Sequence, residues 1–321
     1  MKLTGLKYIL LIVACLAIFT FIFRDHMPFG RDNTDFAVKP GSEITGVDLF
    51  QGEKKVRIRK TGNDWTVNKK DEARKPAILY LINILKGIRI KSPVSAEVFT
   101  AEIVSRNVDP VRVTVYHNNR PLKSYYVYRT PSNKYGNIMK MRISAKPYIV
   151  CLPGDEENIG SLFEADELYW MPYSVFRYLP SQIRKVSLKN TAEPALSFEI
   201  DRNGRRFSFP APEISKGYDS LRVRRYISYF TAISFETWAG ALNGDMVKSI
   251  ESGEPSYVIT VTTNDGKDDV LRIWERSKEG GRGEKDTDRV WAEKNDGKGV
   301  FVMRYFDLDP ILKKRSWFFG D

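Results

Sequence analysis

The chain has 321 residues, 51 Lys and Arg against 40 Asp and Glu, and a net charge of +11. With 42% hydrophobic and 12% aromatic residues, it has the composition of folded protein, not of a disordered chain. Two cysteines, Cys15 and Cys151, exclude a disulfide-stapled secreted scaffold, and the basic balance points to anionic surroundings or an anionic partner.

The first predicted element is a membrane anchor over residues 1–24. Residues 8–23 (YILLIVACLAIFTFIF) carry no charge and no helix breaker. As a helix this run is about 24 Å long, slightly under the roughly 30 Å hydrocarbon core. Leu3, Gly5 and Leu6 extend it, and Lys7 can snorkel to the headgroups. Tyr8, Leu11, Leu16, Phe19 and Phe23 are the expected lipid-facing residues. A buried core helix is the competing reading, but no face of the run is polar. Lys2 and Lys7 crowd the N-terminal flank, whereas Arg24 and Arg31 each sit beside an aspartate. Positive-inside counting therefore keeps the N-terminus cytoplasmic and exports the body. Ile12-Val13-Ala14-Cys15 also resembles a lipoprotein cleavage box, which would leave the apolar LAIFTFIF where a polar tether is usual. An uncleaved signal anchor is the expectation.

Residues 25–35 read as a polar linker. Beyond it, residues 36–180 and 181–321 follow one script, which predicts an α+β fold: a tandem duplication of an antiparallel-sheet-plus-one-helix module. Ile44-x-x-Val47-x-Leu49, Val56-x-Ile58 and Trp65-x-Val67 match Ile183-x-x-Val186-x-Leu188, Leu196-x-Phe198-x-Ile200 and Phe207-x-Phe209. Alternation around Gly62-Asn63-Asp64 and Asn203-Gly204 predicts hairpins. A helix follows in each half: Ala77, Ile78, Leu81, Ile82, Leu85 and Ile88 in the first, Val223, Ile227, Phe230 and Ile233 in the second. Val113 and Val115 pair with Val258 and Thr260, Tyr126–Tyr128 with Leu271–Trp274, Tyr148–Val150 with Val300–Val302, and Leu168–Trp170 with Ser316–Phe318. Partner spacing stays near 140 to 150 residues. Residues 276–289 (RSKEGGRGEKDTDR) are predicted to be a solvated hairpin tip.

Thr34–Val38, Arg74–Ile78, Ser92–Ser95, the block Pro147-Tyr148-Ile149-Val150-x-Leu152-Pro153-Gly154, and Ile233–Glu236 together resemble domain-of-unknown-function family 4340, in its Bacteroidetes-type version. The resemblance spans about residues 34–240 and loosens beyond. It implies a bacterial envelope protein with one N-terminal membrane helix, which with the positive-inside orientation gives an expected place in the bacterial inner membrane with the body on the periplasmic side. Some relatives are encoded beside ABC-transporter components linked to gliding motility, which implies an auxiliary transport role and an envelope protein partner. The family has no catalytic residues to carry over. Where its members often have Trp-Arg, this chain has Trp170-Met171, so no role attaches to that arginine.

The residues themselves offer little chemistry. His26 and His117 are the only histidines, so an imidazole metal site is not expected, and no cofactor is implied. Gly280-Gly281-Arg282-Gly283 lacks the context of a phosphate loop. Asp155-Glu156-Glu157 and Glu164-x-Asp166-Glu167 read as solvated loops, with paired-carboxylate hydrolysis or Ca²⁺ binding as the sharper alternative. On the second helix Arg222, Arg224, Arg225, Tyr226 and Tyr229 form a basic-aromatic face, a candidate contact for an anionic surface or partner. Export argues against nucleic acid. Alternation divides Tyr125, Tyr126 and Tyr128 between core and surface. The expected function is therefore a non-enzymatic envelope binding or scaffold protein. The alternative is a hydrolase of envelope glycan or lipid using carboxylates such as Glu164 and Asp166.

Overall fold

The computed structural model describes residues 12–13, 34–130, 137–154, 159–210, 217–240, 242–278 and 283–319. Of the expected anchor, only Ile12 and Val13 are described, both helical; Tyr8, Leu11, Leu16, Phe19 and Phe23 lie outside the described residues. Among the described residues no helix is long and apolar enough to cross a membrane. The chain divides into two compact units between Pro172 and Tyr173.

In the first unit, alternating side chains build a sheet around tight turns. Strands β1 (Gly46–Gln51) and β2 (Lys54–Thr61) meet at Gly52, β3 (Asp64–Val67) follows Gly62, and β4 (Asp71–Glu72) closes that edge. Both glycines have positive φ, +57° and +63°, where a Cβ would be strained. Helix α1 (Lys75–Gly87) leads to β5 (Arg89–Pro93) and the short helix α2 (Ala96–Phe99). Then come β6 (Val111–His117), β7 (Arg120–Tyr128), β8 (Asn137–Lys140), β9 (Tyr148–Cys151) and the helical turn α3 (Glu167–Trp170). All pairings are antiparallel, in the order β4-β3-β2-β1-β6-β7-β8-β9-β5.

Period 2 in the strands and period 3.6 in α1 make one core. Val47, Leu49, Val56, Ile58, Val113 and Tyr125 from the sheet are buried with Ile78, Leu81, Ile84 and Leu85 from the helix. Each fully buried aliphatic side chain contributes about 1.5–3 kcal/mol. The opposite sheet face is mostly open. Among the described residues its β7–β8 end is covered, by a cluster of Ile103, Tyr128 and Ile138 with Phe99 and Val108 packed on it. Tyr128 therefore joins Tyr125 in burial, and Tyr126 alone of the three stays half-exposed.

The second unit holds β10 (Ser174–Phe176), β11 (Ile183–Asn190), β12 (Phe198–Asn203), β13 (Arg206–Ser208), α4 (Ser220–Tyr229), β14 (Ile233–Ser234), β15 (Thr237–Trp238) and α5 (Gly244–Ser252). It is completed by β16 (Tyr257–Thr263), β17 (Asp268–Ser277), β18 (Lys285–Lys294), β19 (Val300–Arg304) and α6 (Tyr305–Leu308). Its main sheet runs β13-β12-β11-β16-β17-β18-β19-β15. With β4 set aside, the two orders correspond strand for strand. The division precedes the expected 180/181 because β10 pairs with β14, deep in the second unit's sequence.

Three expectations need correction here. Helix α4 stops at Tyr229, with Phe230 as its cap, and Ile233 lies in β14, whose pairing with β10 takes the chain out of the helix. Leu196 ends a short 3₁₀ turn ahead of β12. The match of Val113 with Val258 is one residue out of register. Val113 stands opposite Leu49 on β1, and the residue opposite Leu188 on β11 is Ile259. A one-residue slip exchanges the two faces of a strand, so this matters for every side chain on β16.

The charged stretch 276–289 is also less solvated than its composition suggests. Strand β17 continues to Ser277 and β18 begins at Lys285, while residues 279–282 lie outside the described residues. Arg276 and Asp286 are buried, with the Arg276 guanidinium 4.6 Å from the Trp291 ring centre. The aliphatic stem and flat guanidinium of arginine pack on an indole as a nonpolar group would.

Two polar arrangements generate predictions. Asn137 on β8 is fully buried, and a Cβ built on Gly160 would lie 1.8 Å from its Oδ1. Gly160→Ala should therefore destabilise the protein by about 1–3 kcal/mol, read as a lowered thermal midpoint.

Asp269 on β17, 3% exposed, pairs with Lys294 at 2.8 Å and Lys267 at 3.1 Å and accepts a hydrogen bond from the Tyr178 hydroxyl. Burial pushes its pKa up, but the hydrogen bonds from Lys294 and Tyr178 outweigh that, and the net pKa is lowered. A depressed folded pKa stabilises above the unfolded value near pH 4, and that contribution is lost as pH falls through the folded value. Acid titration of thermal stability should show this loss below about pH 4. Asp269→Asn should lower the neutral-pH midpoint and flatten the acid limb.

Candidate functional site: a cationic groove on the first sheet

The open face of the first sheet is basic because its outward positions are. Strand β2 reads Lys55-Val56-Arg57-Ile58-Arg59, so every outward residue is a cation while Val56 and Ile58 enter the core. Register then sets the neighbours. Lys55 faces Phe50 across β1, and Phe50 faces Arg112 on β6, which in turn faces Tyr126 on β7. In the next row Arg57 faces Asp48, and Asp48 faces Thr114.

These cations have different fates. Arg59 is committed to the fold: its Nη1 lies 2.6 Å from Asp48 Oδ1 and donates to the Ile58 carbonyl at 2.8 Å. Its guanidinium lies 4.9 Å from the Tyr116 ring centre. The facing residue is Gly46, where a Cβ would stand 3.0 Å from Arg59 Cδ. The glycine makes room for the arginine to lie flat. Burial, with the Asp48 carboxylate beside it, raises the Tyr116 pKa. Lys140 on β8 is likewise engaged, 4.8 Å from the Phe99 ring centre, and burial lowers its pKa.

Lys55, Arg57 and Arg112 are all exposed, and among the described residues none has a carboxylate partner for its side chain. They line a groove of about 480 Å³ together with Phe50, Gly52, Asp109, Pro110 and Tyr126. An adjoining groove of about 320 Å³ is lined by Lys55, Arg57, Asn68 and Lys69. The Arg112 guanidinium stacks 5.0 Å from the Phe50 ring centre. Stacking restrains the planar group and leaves its N–H edge available for an oxyanion.

The corresponding face of the second sheet mixes the two signs, with exposed Lys189 at the position of Phe50. Aligning Leu49 with Leu188 by register sets Arg57 against Glu199, Arg59 against Asp201 and Arg112 against Val258. There Lys185 pairs with Glu199 at 3.3 Å, and Arg272 with Glu293 at 3.5 Å. Asp201 has its pKa raised by burial and by the nearby Glu199 carboxylate.

The residues singled out from sequence fall elsewhere. Arg222 is tied to Asp219 at 3.4 Å and donates to the Trp317 carbonyl at 2.7 Å. Tyr226, expected on the exposed face of its helix, is fully buried and donates to the Ile311 carbonyl at 2.9 Å. It sits at helical spacing from Val223 and Phe230, which turn it inward. Tyr229 packs on the second core, leaving Arg224 and Arg225 exposed. Glu164 pairs with Arg129 at 2.8 Å. Asp166 caps α3 through the Leu168 N–H, and Glu167 accepts from Asn68 Nδ2 at 2.7 Å. Asp155, Glu156 and Glu157 lie outside the described residues. His117 ends β6, with its Nδ1 3.0 Å from the Glu43 carbonyl oxygen. Among the described residues no group of three His, Cys, Asp or Glu side chains could hold a metal ion.

The Lys-x-Arg-x-Arg alternation of β2 was a readable signal for a cationic sheet face. Arg112 was not readable, because only the long-range pairing of β1 with β6 brings it beside Phe50. No protein-family model, curated protein or solved structure matches the chain.

Asp48 should be structural, not ligand-binding. Asp48→Ala leaves the half-buried Arg59 without its partner and should cost about 1–3 kcal/mol in a denaturation experiment.

Proposed function

We propose that this chain is a membrane-tethered binding or scaffold protein of the bacterial cell envelope, whose first unit engages an anionic partner through the groove of Lys55, Arg57 and Arg112. The observation that carries the reading is the contrast between the two sheets. One outer face keeps three uncompensated cations, and its counterpart has Glu199 and Val258 at corresponding positions. Exposed arginine and lysine without a carboxylate partner add little to the fold, whereas they steer and hold an anion.

The rest of the proposal draws on sequence. The uncharged run over residues 8–23 supports an anchor, and its flanking charges support a periplasmic body on the inner membrane. The corresponding strand orders, together with the repeated hydrophobic blocks, support two tandem copies of one sheet-and-helix module. The resemblance to domain-of-unknown-function family 4340 adds a role beside an ABC-type transport or gliding-related complex. The competing class is a hydrolase using Glu164 or Asp166. Those carboxylates are engaged with Arg129 and with the start of α3, which favours a structural part for them.

Photo-crosslinking residues placed at Lys55 and Arg112 of the full-length chain in intact cells test the reading. The expected result is an adduct with one envelope component, abolished by Arg57→Glu. Absence of any adduct, with loss of cellular function in a folded Glu164→Ala, Asp166→Ala or His117→Ala variant, would overturn it in favour of the hydrolase.

A further inference from the structure

We propose that the groove recognises an acidic sugar, the carboxylate- or phosphate-bearing unit of an envelope glycan. The inference deepens the binding role proposed above and rests on it.

Size is the starting point. The groove is an open depression of about 480 Å³, within the range of sites that hold ring-sized ligands. A bare inorganic anion leaves such a space mostly empty, while a ring-sized ligand fills it. The lining then divides by chemistry. Lys55, Arg57 and Arg112 are donors without carboxylate partners, suited to one oxyanion held by charge-assisted hydrogen bonds. Pro110 and Tyr126 supply apolar surface for the carbon face of a ring, with Phe50 beside the Arg112 guanidinium. Asp109 is the one acidic residue of the lining, an acceptor for the hydroxyl groups that accompany a sugar acid.

This mixture distinguishes the ligand from a bilayer surface. An anionic membrane is best met by protruding cations with no acid among them. Here Asp109 lines the groove with the cations, and Arg112 lies stacked on Phe50, not extended. The cross-strand order Lys55, Phe50, Arg112, Tyr126 gives the ligand a direction. Neighbouring strands are about 4.8 Å apart, so Lys55 and Arg112 are rooted roughly 10 Å apart with an aromatic ring between them. A glycan laid across the strands meets cation and ring in alternation.

The test is titration calorimetry of the full-length, detergent-solubilised chain. The probes are an oligogalacturonate, its methyl ester, inorganic phosphate and phosphatidylglycerol vesicles. The oligogalacturonate is expected to bind, with affinity falling roughly tenfold or more on methyl esterification and in Arg112→Ala or Arg57→Glu. Lys248→Ala, on α5 of the second unit, is expected to leave it unchanged. All three substituted residues are exposed, and a thermal melt checks that each variant keeps its fold. Vesicle binding lost in Arg57→Glu, with no oligogalacturonate binding, would overturn the sugar assignment and leave the groove as a binding site. Oligogalacturonate binding that survives both groove substitutions would overturn the location. Failure of every probe to bind would overturn this inference and the groove's anionic role together.

Discussion

The fold depends on alternation of side chains across an antiparallel sheet in which one face alone is needed for the core. In the first unit a helix of 13 residues and flanking segments that carry Phe36, Phe163 and Trp170 cover the inner face, and Ile78, Leu81, Ile84 and Leu85 share one core with the valines and isoleucines of β1, β2 and β6. With burial settled on one face, the other is released from packing demands. Its composition can then follow function. The register-matched positions of the two sheets illustrate this: Val47 and Val186 keep their place in the core, while Arg57 and Glu199 carry opposite charge.

Two buried carboxylates, one in each unit, are accommodated by pairing. Asp269 tolerates near-complete burial because two lysines and a tyrosine hydroxyl surround it, and Asp48 does so because Arg59 lies over Gly46. In both cases the buried charge is balanced locally, as the low polarity of an interior requires. The groove is the exception on the first sheet. Its cations sit where solvent can hydrate them, so leaving them unpaired costs the fold little.

Sequence patterns located most strands and both core helices, because periods of 2 and 3.6 are set by backbone geometry. They failed where a tertiary partner decides. Tyr226 looked like surface next to three arginines, yet it belongs to the buried stripe of α4. Arg276 looked like part of a solvated tip, yet Trp291 gives it a flat surface to cover. The one-residue slip on β16 arose because Val258 and Ile259 are equally apolar, and only pairing with β11 decides which faces inward. The groove was half legible: β2 announces its cations locally, whereas Arg112 and Tyr126 arrive from β6 and β7 by long-range pairing.

Two sheets of corresponding strand order in one chain carry a kinetic hazard. Each hairpin of the nascent or refolding protein has a geometrically similar berth in the other half, the situation in which neighbouring domains of repeat proteins misassemble. Backbone hydrogen bonding alone does not discriminate between the berths. Discrimination falls to side chains whose shapes differ, such as Trp65 on β3 against Phe207 on β13, and to β10, which pairs with β14 in a small sheet of the second unit. The differences between the two sheets thus also act as a sorting code that favours each strand in its own sheet.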